Sequence, residues 1–575
     1  MALWDEVKTD VLVVGSEAAG ARAALEAADK GKRVLVITKS VAGKSAVTLK
    51  AVFSVSGAFG FADPRDNPDE HLKDTVIAGR MLNNQRLAEI VCREGPKRLD
   101  ELGKWGVQWD KAPDGRYRQV KMYGHSYPRS LSVGFRVGLE WMRVLIKKIK
   151  EQPLITLMND VFAIDYIKSE QGRVCGALVY DLKRGSILLI RAKAIIDATG
   201  GAMYLFKENS ATPESTGDGL AMAFRAGAEL VDMEFMQFYP IELYWPPSLK
   251  SDQSIPAFAR TFLRAHLYNC DGERFMTRYA PNEMELADRD VLAKSIYREI
   301  RAGRGSEHGG VYLSATHLPR ALVEYAVKRH APGWKLRGID LLEHGLDLRT
   351  EPLEVGPTAH FYCGGIRVDE TWSSGIPGLY VAGEAAGGVN GANRLPGNAL
   401  EETQVSGAIA GEQAAKFSET VDYGHIHESL AEEMVKSVIR LVGRNAGPRP
   451  IEVMDRLRET MWKDVGIIRD GQGLERAVNE IKRMQDEDLP NLTVRSGLIM
   501  NTDLREALEL RNMLMVAEMM AKAALMRTET RGTHTRDDYP ESSSSWLKNI
   551  VIQNKDGAPA LYTVPVVVTK VPLEG

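Results

Sequence analysis

Apolar residues fall in short unbroken runs early in this chain and at three- and four-residue spacing late in it. The run from Asp10 to Val14 predicts a buried strand. Gly15-Ser16-Glu17-Ala18-Ala19-Gly20 follows, then an alanine-rich segment to about Lys30 that predicts a helix, and Arg33-Val34-Leu35-Val36-Ile37 predicts a second strand. This is a β-turn-α-β unit of dinucleotide-binding type: glycines make the tight turn and the helix N-terminus meets a pyrophosphate. Two positions depart from the pattern. Glu17 stands where a strict GxGxxG has glycine, and a carboxylate there is unhelpful unless it turns away. The second strand ends in Thr38-Lys39-Ser40 rather than in an acid, so ribose recognition falls to another group.

Three further elements extend the pattern. Ala194 to Asp197 predicts a strand that runs into Ala198-Thr199-Gly200-Gly201; Ser215-Thr216-Gly217-Asp218-Gly219 precedes another alanine-rich helix; Gly378 to Glu384 predicts a strand and turn. Shortly after, Gly391-Ala392-Asn393-Arg394-Leu395-Pro396-Gly397-Asn398 sets an arginine between glycine turns. Its planar fork of donors suits a carboxylate, and the glycines let backbone approach a ligand. Residues 241–350 are rich in charge and aromatics and carry no nucleotide motif, so they read as an insertion. Leu504 to Leu525 has helical periodicity. The expected division is a dinucleotide-binding domain in two parts (1–240 and 351–418), a capping domain (241–350), a helical domain (419–530) and an irregular polar tail (531–575).

Composition narrows the partners. With 575 residues, 44% hydrophobic and 26% charged, and a formal charge of −3, the chain offers no electrostatic case for nucleic acid. Cys92, Cys175, Cys270 and Cys363 form no metal-ligand spacing and read as buried thiols, so no metal is expected here and any iron–sulfur centre belongs to another chain. No signal segment and no apolar run of spanning length is evident, so a cytoplasmic protein is expected, with access to the inner face of a membrane only through partner subunits.

Together these motifs resemble the flavoprotein subunits of the fumarate reductase/succinate dehydrogenase family, to which L-aspartate oxidase is related. The resemblance implies an α/β fold with an FAD-binding, two-dinucleotide-binding (Rossmann-like) core, an inserted α+β capping domain and a C-terminal helical domain. It implies FAD held by Gly15, Ser16, Ala19, Gly20, Thr38, Lys39, Ser45, Gly200, Asp218, Glu384, Asn398, Ala399 and Leu400. It also implies hydride transfer between flavin and a small carboxylate substrate. The partner it implies is an iron–sulfur protein subunit. Arg289, in Ala287-Asp288-Arg289-Asp290-Val291, matches the family's proton-delivering arginine; His360, in Gly356-Pro357-Thr358-Ala359-His360-Phe361, and Arg394 match its carboxylate-holding groups. Three departures stand out. Ala46 occupies the place of the histidine that attaches flavin covalently in some members, so the FAD is expected to be non-covalent. Tyr239 replaces a substrate-contacting histidine, which makes fumarate itself a less safe guess. Thr261 takes the place of the relay glutamate, and Arg264 is the nearest match to the arginine beside it. Two alternatives remain open at this point: an L-aspartate oxidase-like enzyme, and a flavin electron-transfer subunit without substrate turnover.

Overall fold

The computed structural model describes residues 4–573 apart from Ala46, Phe135 and Leu336. Ala46, on which the expectation of a non-covalent flavin rests, therefore lies outside the described residues. The apolar run at the start forms the strand Asp5–Val14, which pairs in parallel with Val34–Thr38 on one side and Ser186–Asp197 on the other. Ile155–Asn159 extends the sheet beyond Val34–Thr38, while Val174–Asp181 and then Val161–Lys168 add antiparallel strands beyond Ser186–Asp197. Leu379–Val381, from far along the sequence, pairs in parallel with Ser186–Asp197. The registers Val14↔Ile37, Val14↔Asp197 and Val381↔Asp197 bring the C-terminal ends of four strands to one edge. Ligands of open α/β sheets bind at such an edge.

Val11, Leu12, Val13, Ile195 and Ile196 are completely buried: the helices Ala18–Asp29 and Asn398–Glu419 pack together on the parallel strands, and Val161–Lys168 also lies against Val34–Thr38. Burying one such side chain stabilises the fold by about 1.5–3 kcal/mol. The inserted segment has its own core, including Leu243, Ile255, Leu267, Leu292, Leu313 and Val355, around a four-stranded sheet ordered Met236–Leu243, Leu353–Tyr362, Val311–Ser314, His266–Tyr268. Helices Glu428–Ile439, Pro450–Asp464, Gly471–Arg483 and Thr502–Met526 follow the second half of the dinucleotide core.

Residues 531–573 are more ordered than their polar composition suggests. Lys548–Lys555 and Ala558–Pro565 form an antiparallel hairpin that pairs with Leu230–Val231. Thr533 donates from both its backbone N–H (3.0 Å) and its hydroxyl (3.1 Å) to the carbonyl of Ala392. The segment read as a tail thus braces the Arg394 loop. Cys270 is exposed, against the expectation that all four thiols are buried.

Candidate active site

One cleft, of about 1710 Å³ of empty space, runs from the glycine turn to the insertion. At one end it is lined by Gly15, Ser16, Ala19, Thr38, Lys39, Ser45, Gly200, Asp218, Glu384, Ala399 and Leu400, and at the other by Arg289, His360 and Arg394. Gly20, Asn398 and Tyr239 do not line it. Gly20 allows the helix to sit against the turn, since a Cβ there would lie 2.0 Å from the carbonyl oxygen of Gly15. Asn398 is turned to Thr75 (2.9 Å) and His71 (3.0 Å). Gly15 has φ +111°, and a Cβ on it would lie 2.2 Å from the carbonyl oxygen of Ala198.

Glu17 does turn away from the phosphate position. Its carboxylate accepts the backbone N–H groups of Val47 and Thr48, each at 3.0 Å, and the Thr48 hydroxyl at 3.0 Å. It fixes the short turn Val47–Lys50 under the cleft, although burial pushes its pKa up. Lys39 ends the second strand as a buried hub, donating to Thr216 (2.6 Å), Asp218 (2.7 Å) and Glu509 (2.8 Å). Burial opposes its charge, but Asp218 and Glu509 hold the ammonium above its ordinary pKa. Asn512 donates to the other oxygen of Asp218 at 2.8 Å. These groups present a glycine-rounded cradle at a helix N-terminus with hydroxyl and carboxylate partners beyond it, a donor set that fits a dinucleotide.

At the far end, two irregularities in one strand pair aim the side chains. Gln237 pairs with Phe361 and Phe238 with Ala359, so His360 is an extra, unpaired residue; a second shift lies between Tyr239 and Glu242. Bulges of this kind redirect side chains. Nδ1 of His360 lies 2.9 Å from the Ser210 hydroxyl. Burial, then Arg394, Arg289 and Lys50, depress its pKa well below the usual value, so the ring is neutral. The Ser210 hydroxyl also lies 3.3 Å from the carbonyl of Ala359; in the tautomer whose Nδ1 accepts from Ser210, Nε2 carries the proton and is the donor for a carboxylate. Arg394 lies 4.6 Å over the Phe361 ring and donates to Gln237 (3.0 Å) and to the carbonyl of Leu395 (3.3 Å). Its Nε has no partner among the described residues, and burial together with Arg289 brings its pKa down to about 10.

Arg289 opens the helix Arg289–Arg301. Asp290 lies 3.7 Å from both Arg80 and Lys294, and Asp288 lies 4.0 Å from Arg80, while Arg289 itself turns inward, 5.0 Å over the ring of Tyr239. Tyr239 sits between Arg289 and His360, 5.1 Å from the latter ring, and is buried. The motif-based assignments at 261 and 264 need correction. Thr261 and Arg264 are exposed, whereas Arg260 is buried, 4.8 Å over the Tyr123 ring. A helical turn, Ser254–Phe262, carries Arg260 inward, which a gapped motif comparison does not register. Arg129 is fully buried between Asp66 and Asp74, both at 2.9 Å. Sequence reasoning missed Lys50, Ser210 and Gln253, which line the same end of the cleft, and Gln237, which also donates to the carbonyl of Arg394 at 2.9 Å. Only the Met236-Gln237-Phe238-Tyr239-Pro240 run hinted at Gln237.

Residues 10–400 match the FAD binding domain family, and residues 454–575 match the fumarate reductase flavoprotein C-terminal domain. The chain belongs to the fumarate reductase/succinate dehydrogenase flavoprotein family. It is an FAD-dependent oxidoreductase. It is 38% identical to a subunit of the fumarate reductase (CoM/CoB) of Methanothermobacter marburgensis, over 95% of this chain and 97% of that one. It is 32% identical to L-aspartate oxidase of Streptomyces coelicolor over 97% of this chain and 93% of that protein. Among solved structures, Sdh1 of Mycobacterium smegmatis is 36% identical with a TM-score of 0.89, covering 99% of this chain and 96% of that one. A quinol–fumarate reductase chain has a TM-score of 0.90 at 28% identity, covering 99% and 100%. The family's enzymes are FAD oxidoreductases acting on CH–CH bonds.

Proposed function

We propose that this chain is the flavoprotein subunit of a reductase or dehydrogenase that interconverts an unsaturated and a saturated carboxylate. One observation carries this reading: Arg289, His360 and Arg394 line the cleft that also holds the glycine turn Gly15–Ala19. FAD, when bound, supplies the two-electron hydride chemistry. Arg394 offers its fork to one substrate carboxylate, and neutral His360 donates to the same group. Arg289 stands where a proton reaches the carbon next to the hydride acceptor. Buried cations of this kind stabilise the enolate-like charge that develops on the carboxylate, and they act more strongly in a site that excludes water. The partner in this reading is an iron–sulfur protein, and the M. marburgensis relative is itself named as one of several subunits. Among the described residues no helix is long and apolar enough to cross a membrane.

The 32% identity to an L-aspartate oxidase over nearly the whole chain supports a second reading, an oxidase. One experiment separates them. The purified protein is reduced anaerobically and a panel of unsaturated carboxylates, fumarate included, is added while flavin absorbance is followed. Reoxidation by a member of the panel supports the reductase. Anaerobic bleaching of the oxidised flavin by L-aspartate, with peroxide released when air is admitted, supports the oxidase; bleaching by L-aspartate without reoxidation by any panel member other than fumarate rejects the reductase.

A further inference from the structure

An arginine that gives up a proton must recover it, because its own acidity is very weak. Thr261, which takes the place of the family's relay glutamate, and Arg264 beside it lie on the surface. A different carboxyl shares the bulged strand with Tyr239, over whose ring Arg289 stands. Glu242 is completely buried, and neither of its oxygens is held by a well-formed hydrogen bond among the described residues, although the Thr358 and Ser210 hydroxyls are its neighbours. On a regular strand, Tyr239 and Glu242 would face opposite ways. The bulge between them, where Tyr239 pairs with Thr358 and Glu242 with Gly356, absorbs one residue and brings both into the electrostatic neighbourhood of Arg289. Oε1 of Glu242 is 3.8 Å from Nδ1 of His360. Lys50 is the cation that most strongly favours the Glu242 anion. Its ammonium lines the cleft, is anchored to the carbonyl of Ala211 at 2.9 Å, and forms no ion pair within 4.0 Å among the described residues.

We propose that Glu242 and Lys50 form the proton store of this active site, Glu242 refilling Arg289 and Lys50 refilling Glu242 from the cleft. The inference rests on the reading of Arg289 as the proton-delivering group. Each move is a proton transfer alone, carried across an intervening water because neither pair lies within 4.0 Å: the Glu242 O–H proton passes to neutral Arg289, leaving a carboxylate, and a Lys50 N–H proton passes to that carboxylate. Burial lifts the Glu242 pKa to about 8 and lowers that of Lys50, which brings the two acids closer in strength than they are in water; Asp252, Glu214 and Arg337 are the other charges facing Lys50. The other titratable or charged groups facing Glu242 are Asp252, Arg289, His360, Tyr239 and Tyr244.

The test uses the full-length FAD-loaded protein and its Glu242→Gln and Lys50→Met variants. Infrared difference spectra between pH 6 and pH 9 are recorded on all three without substrate. The wild type should show a carboxylic C=O band that bleaches on raising the pH, is missing in Glu242→Gln, and shifts its midpoint upward in Lys50→Met, where the anion loses its cation. Fumarate, or the panel member that reoxidises the flavin, then serves as substrate. Glu242→Gln should lower kcat by at least 10-fold at unchanged KM and lose the ionisation near 8 from its pH profile. If no carboxylate reoxidises the flavin, the reductase reading fails while the infrared arm still reports on the pair. A Glu242→Gln protein with wild-type kcat and pH profile, or a wild type without the titrating band, overturns the proposal. Flavin absorbance and melting temperature equal to wild type show that each variant is folded.

Discussion

Glu17 offers a sharp test of how a non-glycine is tolerated in the phosphate turn. If it is merely a defect in the turn, Glu17→Gly improves the fingerprint and tightens FAD binding. The structure argues for the opposite. The carboxylate accepts two backbone N–H groups and one hydroxyl, all at 3.0 Å, from the turn that carries Lys50 and follows Ser45. A hydrogen bond to a charged group contributes about 1.5–3 kcal/mol, and a buried donor left unpaired costs about 1–3 kcal/mol. Burial of the Glu17 carboxylate offsets part of this, as its raised pKa shows. A net loss of about 2–4 kcal/mol remains. If half of it is felt by the bound state alone, FAD affinity falls about 5- to 30-fold. Glu17→Gln should fall between, because its amide keeps one acceptor but points an NH2 group at the second N–H. Affinity is read from flavin fluorescence on titrating FAD into apoprotein, with thermal melts alongside. A Glu17→Gly protein that binds FAD as tightly as wild type refutes the reasoning.

Four other outcomes are expected. Arg394→Ala should lower kcat/KM by at least 10-fold through loss of about 1.5–3 kcal/mol of charge-assisted binding, with FAD content near wild type by absorbance; normal turnover would contradict its role. Acid precipitation should leave FAD in the supernatant; flavin fluorescence that stays with the polypeptide would show a covalent link. Tyr239→His should improve use of fumarate relative to other carboxylates, and unchanged kcat/KM ratios would show that this position does not select substrate. Burial raises the Glu402 carboxyl to about 8 from 4.5, so the folded state keeps a proton that the unfolded state has released. Its stabilising contribution is therefore full below 4.5 and is lost as pH rises through 8. Relative to wild type, the melting temperature of Glu402→Gln should rise between pH 5 and pH 9, equivalent to about 2–4 kcal/mol at most; a difference independent of pH would show that Glu402 is already ionised.

The sequence disclosed those parts of the site whose chemistry is local. Gly15 and Gly20 are legible because close backbone approach admits no side chain there. Strands such as Val11–Val14 are legible because both faces are covered. The orientation of Glu17 is not local: its partners are 30 and 31 residues away, on a turn without a motif of its own. Lys50 and Glu242 were silent for the same reason. A lysine in a loop and a glutamate in a strand look like solvated residues until a bulge and a fold place them against one another. Thr533 braces Ala392 across 141 residues, and nothing in a polar Thr-His-Thr stretch announces that.

The anchoring of Lys39 has a consequence for how the protein is made. Its partners Asp218 and Glu509 lie 179 and 470 residues downstream, and Asn512, which holds Asp218, lies later still. A nascent chain can build the first strand-turn-helix early in synthesis, but the pocket around that turn stays open until the helix Thr502–Met526 has left the ribosome. Capture of the cofactor is therefore a late event in biosynthesis. Chains that terminate before this helix would keep the Lys39–Asp218 pair but lack Glu509 and Asn512, and would leave the cleft half-built.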